Sequence, residues 1–327
     1  MEENTKKENN NIEQKTTEQT TEKIKENPNI NTKKKKNKTR MLIVILFILV
    51  FVAVSYIQLR ASYLEYMELG QQYISVFYTN LTYKYAIMGI NFVVLYFILY
   101  FTNRGIKKGL KPFFEKEKKE MPKLLNKSLA LVISAIVSVI VSAMSMEKIM
   151  LVISNSSFGI TESIFNMDIS YFIFQKPLIE FALLYFIFFM VGLSLYTALY
   201  YVIIFNRYFD GIDGKMLKQS IFMKKIIRNI MLIVIGVAIL TVLNVQNMVF
   251  GKLLTIDDDI DIVGAGLTET TIELWGYVIF AFIIVIFVYR ALKYFKEGSS
   301  NKVLKNLAVI PAYLVILFVV MIGFDLI

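Results

Sequence analysis

The feature that most constrains this chain is a recurrence of seven predominantly apolar stretches, near 41–59, 85–103, 129–146, 178–205, 226–243, 273–292 and 304–324. A bilayer core ~30 Å thick needs about 20 such residues at ~1.5 Å rise each, so every stretch is of the length that spans it as a helix. Inside hydrocarbon each backbone N–H and C=O must find a partner within the structure, which a helix provides by itself. The expected fold class is all-α: a polytopic membrane helix bundle with seven transmembrane helices. The stretch at 178–205 has 28 residues, too few for two spans, so it tilts or runs an extra turn beyond the bilayer.

Composition agrees and narrows the chemistry. Hydrophobic residues make up 56% of the 327 positions, above the roughly 45–50% of soluble domains. The formal charge of +10 would suit a nucleic-acid binder only if the basic residues gathered on one soluble face. They sit between apolar blocks instead, and no nucleic-acid partner is expected. The chain has no Cys and no His, which removes thiol chemistry, imidazole acid–base work, disulfides and most zinc, haem or iron–sulfur sites. No cofactor is expected, and no catalytic, cofactor-binding or metal-ligating residue is assigned.

Orientation follows from sorting the 36 Lys and Arg onto alternate sides of the seven windows. With the N-terminus inside, residues 1–40, 104–128, 206–228 and 290–305 contribute 11, 9, 6 and 5 of them. Only Arg60, Lys84, Lys148, Lys176 and Lys252 fall on the other side, which holds half of the 26 acids. The expected topology is N-in and C-out, in the cytoplasmic membrane of a bacterium. A tag at Ile327 should then be reachable from outside intact cells.

Residues 1–40 hold few large apolar side chains and many Lys, Glu, Asn, Thr and Gln. Such a segment buries too little surface to offset the entropy of ordering, so a disordered basic cytoplasmic tail is expected, followed by a membrane domain over 41–327. The run Lys33, Lys34, Lys35, Lys36, Lys38 and Arg40 directly precedes Met41. It is placed to attract anionic lipid at about 1 kcal/mol per charge, making the bilayer and its anionic lipid the expected partners. A signal peptide has the same layout, but the uncharged run Met41 to Leu59 is longer than an ordinary signal core. A retained helix is the better reading.

The connecting segments differ in character. Glu115 to Lys127, broken by Pro122, reads as a short amphipathic helix at the inner surface. On the outer side, 60–84 and 147–177 are rich in Tyr and Phe, and half-buried interfacial helices are expected there. Asp210-Gly-Ile-Asp213-Gly214 reads as an inner turn, and Pro311 should kink the seventh helix.

Three constellations invite sharper readings. Ser134, Ser138, Ser142 and Ser145 follow steps of four, four and three, which aligns their hydroxyls on one face of the third helix. A pore lining is one reading; close packing against a neighbouring helix is preferred, because small residues let membrane helices approach. Asp257, Asp258, Asp259 and Asp261 invite a calcium loop, but the sixth position would be Ile262 rather than Gly and the acid at Glu269 falls one residue late. A solvated charged loop is expected instead. Gly264-Ala-Gly266-Leu-Thr-Glu269 lacks the lysine of a phosphate loop and reads as a tight turn into the sixth helix, with Thr268 or Thr271 as its cap. No window has an ionisable residue near its midpoint, which lowers the case for ion-coupled transport.

Two stretches together resemble a known family. Asp168-Ile-Ser170-Tyr171-Phe172-Ile-Phe174-Gln-Lys-Pro177 is similar to the D-x-S-[FY]-[FY]-x-F-x-x-P element of the bacterial membrane proteins grouped as uncharacterised protein family 0182. Gly264-Ala-Gly-Leu-Thr-Glu269 resembles that family's G-A-G-Y-T-D element, with Leu267 for the usual Tyr and Glu269 for the usual Asp. The aromatic segment Tyr63 to Leu81 resembles its first outer loop, and the likeness covers 41–327. The resemblance implies a seven-helix cell-membrane protein with no assigned activity. It also implies that longer members continue past the seventh helix into a large extracytoplasmic region, so that a chain ending at Ile327 is a short or truncated one.

The function expected from these readings is a non-enzymatic envelope scaffold or anchor with possible envelope protein partners. One alternative is a transporter or channel component using the Ser134 to Ser145 face. The other is a membrane enzyme acting on the outer side through Asp168, Glu162 or the Asp257 cluster.

Overall fold

The computed structural model describes residues 28–122, 126–209, 221–257 and 260–325. Seven long helices follow one another: α1 (Pro28–Leu69), α2 (Ile74–Lys116), α3 (Asn126–Ile153), α4 (Lys176–Tyr208), α5 (Ile221–Val245), α6 (Leu274–Glu297) and α7 (Ser300–Asp325). Six of the expected windows lie inside α2 to α7, and these six helices, with their entrance turns, are long and apolar enough to cross a membrane. The window 41–59 falls in α1, many of whose side chains lie outside the described residues. The chain divides into two compact units, Met1–Leu81 and Thr82–Ile327.

The first unit bears on two expectations. Residues 1–27 of the expected disordered tail lie outside the described residues, but from Pro28 the backbone is helical. Extending an existing helix fixes one residue per hydrogen bond, whereas starting one fixes several, so an apolar span readily recruits its polar flank. At the other end α1 continues to Leu69 and α2 begins at Ile74, leaving only a 3-10 turn, Gln71–Tyr73, where interfacial helices were expected. Gly70 makes that turn possible: its φ of 128° lies where a side chain would be strained. The aromatic side chains close the corner. Tyr63 and Tyr66 meet Phe77 at ring separations of 5.6 and 5.8 Å, and Asn80 donates to the Tyr66 hydroxyl at 3.1 Å.

In the second unit, α4 packs on α5, α5 on α6 and α6 on α7. Small residues set these approaches. A Cβ added to Gly276 on α6 would lie 2.3 Å from Leu317 Cδ1 of α7, and the Gly276 carbonyl accepts a 2.9 Å bond from the Tyr313 hydroxyl. Pro311 lies inside α7, which runs on past it, and α6 turns into α7 at Gly298, whose left-handed φ of 80° lets its N–H reach back to Phe295 O.

The serine stripe is a packing face. Ser134, Ser138, Ser142 and Ser145 are all buried, at 0, 1, 1 and 3% exposure. Ser142 Oγ donates to the Lys84 carbonyl at 2.7 Å, Ser138 Oγ accepts from Asn91 at 3.4 Å, and Ser134 Oγ bonds back to Leu131 O at 3.0 Å. Asn91 also accepts from Tyr185 of α4 at 3.0 Å, so one amide ties α2, α3 and α4 together. Lower on α2, buried Asn103 accepts from Tyr196 at 2.6 Å. Ser138, Ser142, Asn91 and Asn103 are therefore engaged between helices, whereas Ser134 bonds within its own helix.

Helix α2 outruns its apolar window by more than three turns and ends at Lys116, followed by an irregular stretch to Pro122. This replaces the amphipathic surface helix expected from Glu115. The reason is a buried seam: Ile106, Leu110, Phe113 and Phe114 pack on Tyr201, Ile204 and Phe205 of α4, and together form a core. Apolar burial there, at about 25 cal/mol per Å², favours continuing the helix over peeling it onto the surface. The turn expected at Asp210–Gly214 lies outside the described residues.

Candidate functional site at the hairpin end

At the opposite end of the bundle from this seam, residues 154–170 connect α3 to α4, and 246–257 and 260–273 lie between α5 and α6. The segment 154–170 is an ordered loop rather than the expected interfacial helix. Its two arms meet at a bridge between Thr161 and Asp168, with Asn166 at φ 56° in the turn. The expected acidic loop is likewise structured. Strands β1 (Lys252–Asp257) and β2 (Ile260–Val263) pair antiparallel, with 258 and 259 outside the described residues. The β-branched and aliphatic residues that alternate with the aspartates, Leu254, Ile256, Ile260 and Ile262, give the segment strand propensity that the charge run obscures.

Asp168 holds the first loop together. Its carboxylate accepts from the Ser157 hydroxyl, from Ser170 N at 2.8 Å, from Gly159 N at 3.2 Å and from Phe158 N at 3.3 Å. The Ser157 hydroxyl, followed by the Ser170 N–H, holds its carboxyl well below the usual carboxylate range. Glu162 does similar work at the turn, accepting from the backbone of Ile164 and, at 2.7 Å, of Phe165. Asp168 and Glu162, two of the acids considered for outer-side chemistry, are thus committed to loop geometry.

A testable consequence is that Asp168→Asn should loosen this loop, read as faster hydrogen exchange at Phe158, Gly159 and Ser170. The sign with pH follows from linkage. A depressed folded pKa stabilises at pH values above the unfolded value of about 3.9, and the contribution fades as pH falls through the folded value below it. The unmodified loop should keep its protection at pH 5, where the Asn variant should exchange faster, and the difference between the two should narrow as pH falls below the unfolded value.

From Asp168 the chain enters α4 through one turn of π-helix, Tyr171–Gln175, closed by the Lys176 N–H to Tyr171 O. Wide turns of this kind are rare and re-aim side chains at functional sites. Here Tyr171 reaches the Gln246 amide oxygen at 3.3 Å, and Phe172 is buried edge-on against Phe250 at 5.3 Å. Lys176 is the unexpected member. Sorted by sequence as an outer loop charge, it is 3% exposed, with its ammonium 2.8 Å from Glu180 and hydrogen-bonded to Asn247 Oδ1.

The second stretch arrives at the same place. The hairpin base closes with Gly264 N donating to Gly251 O at 2.8 Å, and α6 is entered through a second π turn, Glu269–Glu273, closed by the Leu274 N–H to Glu269 O. Thr268 stands at the N-cap of this turn without a side-chain cap bond, and Thr270 Oγ1 donates to Gly266 O at 2.9 Å. Between α5 and α6 a cleft of about 530 Å³ opens, within the usual range for ligand sites. Thr241, Asn244, Asn247, Glu269, Glu273 and Tyr277 supply its polar walls, with Gly251 and Gly264 at the hairpin base.

Asn247 links the halves, since it holds Lys176 and also lines the cleft. It belongs to the 3-10 segment Gln246–Phe250, which touches the first stretch through Gln246, Asn247 and Phe250 and the second through Gly251 just beyond it. Sequence reading missed this segment. The available signal was Asn244, Gln246 and Asn247, three amides closing an apolar span.

No curated protein and no solved structure matches the chain. The match that exists covers both helix entrances and all six spanning helices: the model of the uncharacterised protein family UPF0182 fits residues 39–325, and the chain is a member of that family.

Proposed function

We propose that this integral membrane protein is a non-enzymatic scaffold of a bacterial cell membrane, crossing it seven times with its hairpin end outside. Its working surface is the cleft between α5 and α6, bordered by the second family element and tied to the first through Asn247. The observation that carries this reading is the division of polar groups. Within the spans, Ser138, Ser142 and Asn91 join helices, whereas at the hairpin end Glu269, Glu273, Asn244, Asn247 and Tyr277 gather along an open cleft. Such walls suit a hydrogen-bond-donating or cationic group on an envelope partner.

A photoreactive residue at Leu267, which is exposed beside the cleft, should cross-link to a discrete partner in living cells. One at lipid-facing Phe282 should not. Purified protein in liposomes should leave solute flux at the protein-free level. Flux that appears with the unmodified chain and disappears with substitutions on the Ser134 to Ser145 face would overturn the scaffold reading in favour of a channel.

A further inference from the structure

The exposed side of α2 changes chemistry without changing direction. Phe97, Phe101, Arg104, Lys108, Lys111 and Glu115 follow steps of four, three, four, three and four, which keeps them on one helical face. The two phenylalanines are 52 and 59% exposed in a helix apolar enough to span a bilayer. The basic residues follow directly where that apolar window ends. The opposite side of the same turns is the buried seam with α4, so this face points away from the bundle.

The basic turns are also concave. A groove of about 490 Å³ lies along Arg104, Lys107, Lys108 and Lys111, floored by Phe114 and Met121. Lys119 closes one side and is fixed there, its ammonium donating to Tyr208 O at 3.0 Å and lying 5.1 Å from the centre of the Phe209 ring. Lys111 is paired with Glu115 at 3.3 Å, while among the described residues no ion pair engages Arg104, Lys107, Lys108 or Lys119.

We infer that this groove seats the headgroup of an anionic phospholipid whose acyl chains lie along Phe97 and Phe101. Charge and position select that occupant. The groove is strongly cationic and stands at the level where a spanning helix leaves hydrocarbon, which is headgroup depth. A free phosphate would satisfy the charge and leave the aromatic stripe unused. The inference rests only on α2 crossing a bilayer and needs no assignment of which end is outside.

The test uses the purified full-length chain in detergent, with retention of phosphatidylglycerol against phosphatidylcholine followed by native mass spectrometry. Phosphatidylglycerol should be held preferentially. The triple variant Arg104→Gln, Lys107→Gln, Lys108→Gln should lose about fivefold in affinity per charge, on the order of a hundredfold in all. A control with Lys293, Lys296 and Lys302 each changed to Gln, exposed at the same end of the bundle, should bind as the parent does. Equal retention of the two lipids overturns the site, as does an equal loss in both triple variants, which would mean bulk charge. Displacement by inorganic phosphate at a matched concentration overturns the lipid and leaves a phosphate site. Should the first triple variant not fold, discrimination between the two lipids by the unmodified chain still decides the matter. Failure of the protein to sediment with membranes would instead remove the spanning reading itself.

Discussion

Lys176→Met is expected to lower the stability of the second unit by about 2–3 kcal/mol, measured as the loss of thermal transition temperature in detergent. Removing one member of a fully buried ion pair costs ~3–5 kcal/mol because the other charge is left uncompensated. Glu180 retains 29% side-chain exposure, and the water it reaches reduces that figure. Asn247 also loses its donor, which frees the 3-10 segment that joins the two family elements. The pair can be separated from packing by the double variant Lys176→Met, Glu180→Gln, which leaves no stranded charge. It should recover more than half of the loss. If the double variant is no better than the single one, Lys176 acts through its hydrocarbon stem alone.

Ser138→Leu should have an effect of similar size, about 3 kcal/mol, read as folded yield and transition temperature. The side chain is 1% exposed, and forcing extra methylenes into a packed interior typically costs ~1–3 kcal/mol. The substitution also removes the acceptor of the Asn91 amide, which is the joint of α2, α3 and α4. Ser138→Ala should be far milder, because it keeps the volume close and Asn91 retains its bond from Tyr185. Normal yield for Ser138→Leu would remove the packing role of the stripe.

The spans were legible because the bilayer imposes a length on apolar runs that no tertiary contact overrides. Where each helix ends was not legible, since helices here stop for reasons unrelated to hydrocarbon. Helix α1 ends at Gly70 and α2 continues to Lys116 over the aromatic seam with α4. Both entrances to α4 and α6 were marked in the sequence as recognisable elements, but nothing in their residues announced that they share a joint. That joint is made by a third segment, through Asn247 to the first element and Gly251 to the second, and an amide in a chain this rich in asparagine carries no signal of its partner. Lys176 illustrates the same limit. Counting charges placed it among exposed loop residues, while Glu180, one helical turn on, provided the clue that it could be buried as a pair.

The outer location of the cleft is the claim on which the functional reading turns, and the absence of native cysteine makes it directly measurable. Single cysteines at Ser156 and Leu267, both exposed at the hairpin end, and at Ser300, exposed at the other end, would be treated in intact cells with a membrane-impermeant maleimide. Labelling at 156 and 267 from outside, with 300 reacting only after permeabilisation, is the predicted result. Labelling of 300 in intact cells with 156 and 267 protected would place the cleft in the cytoplasm and contradict the account.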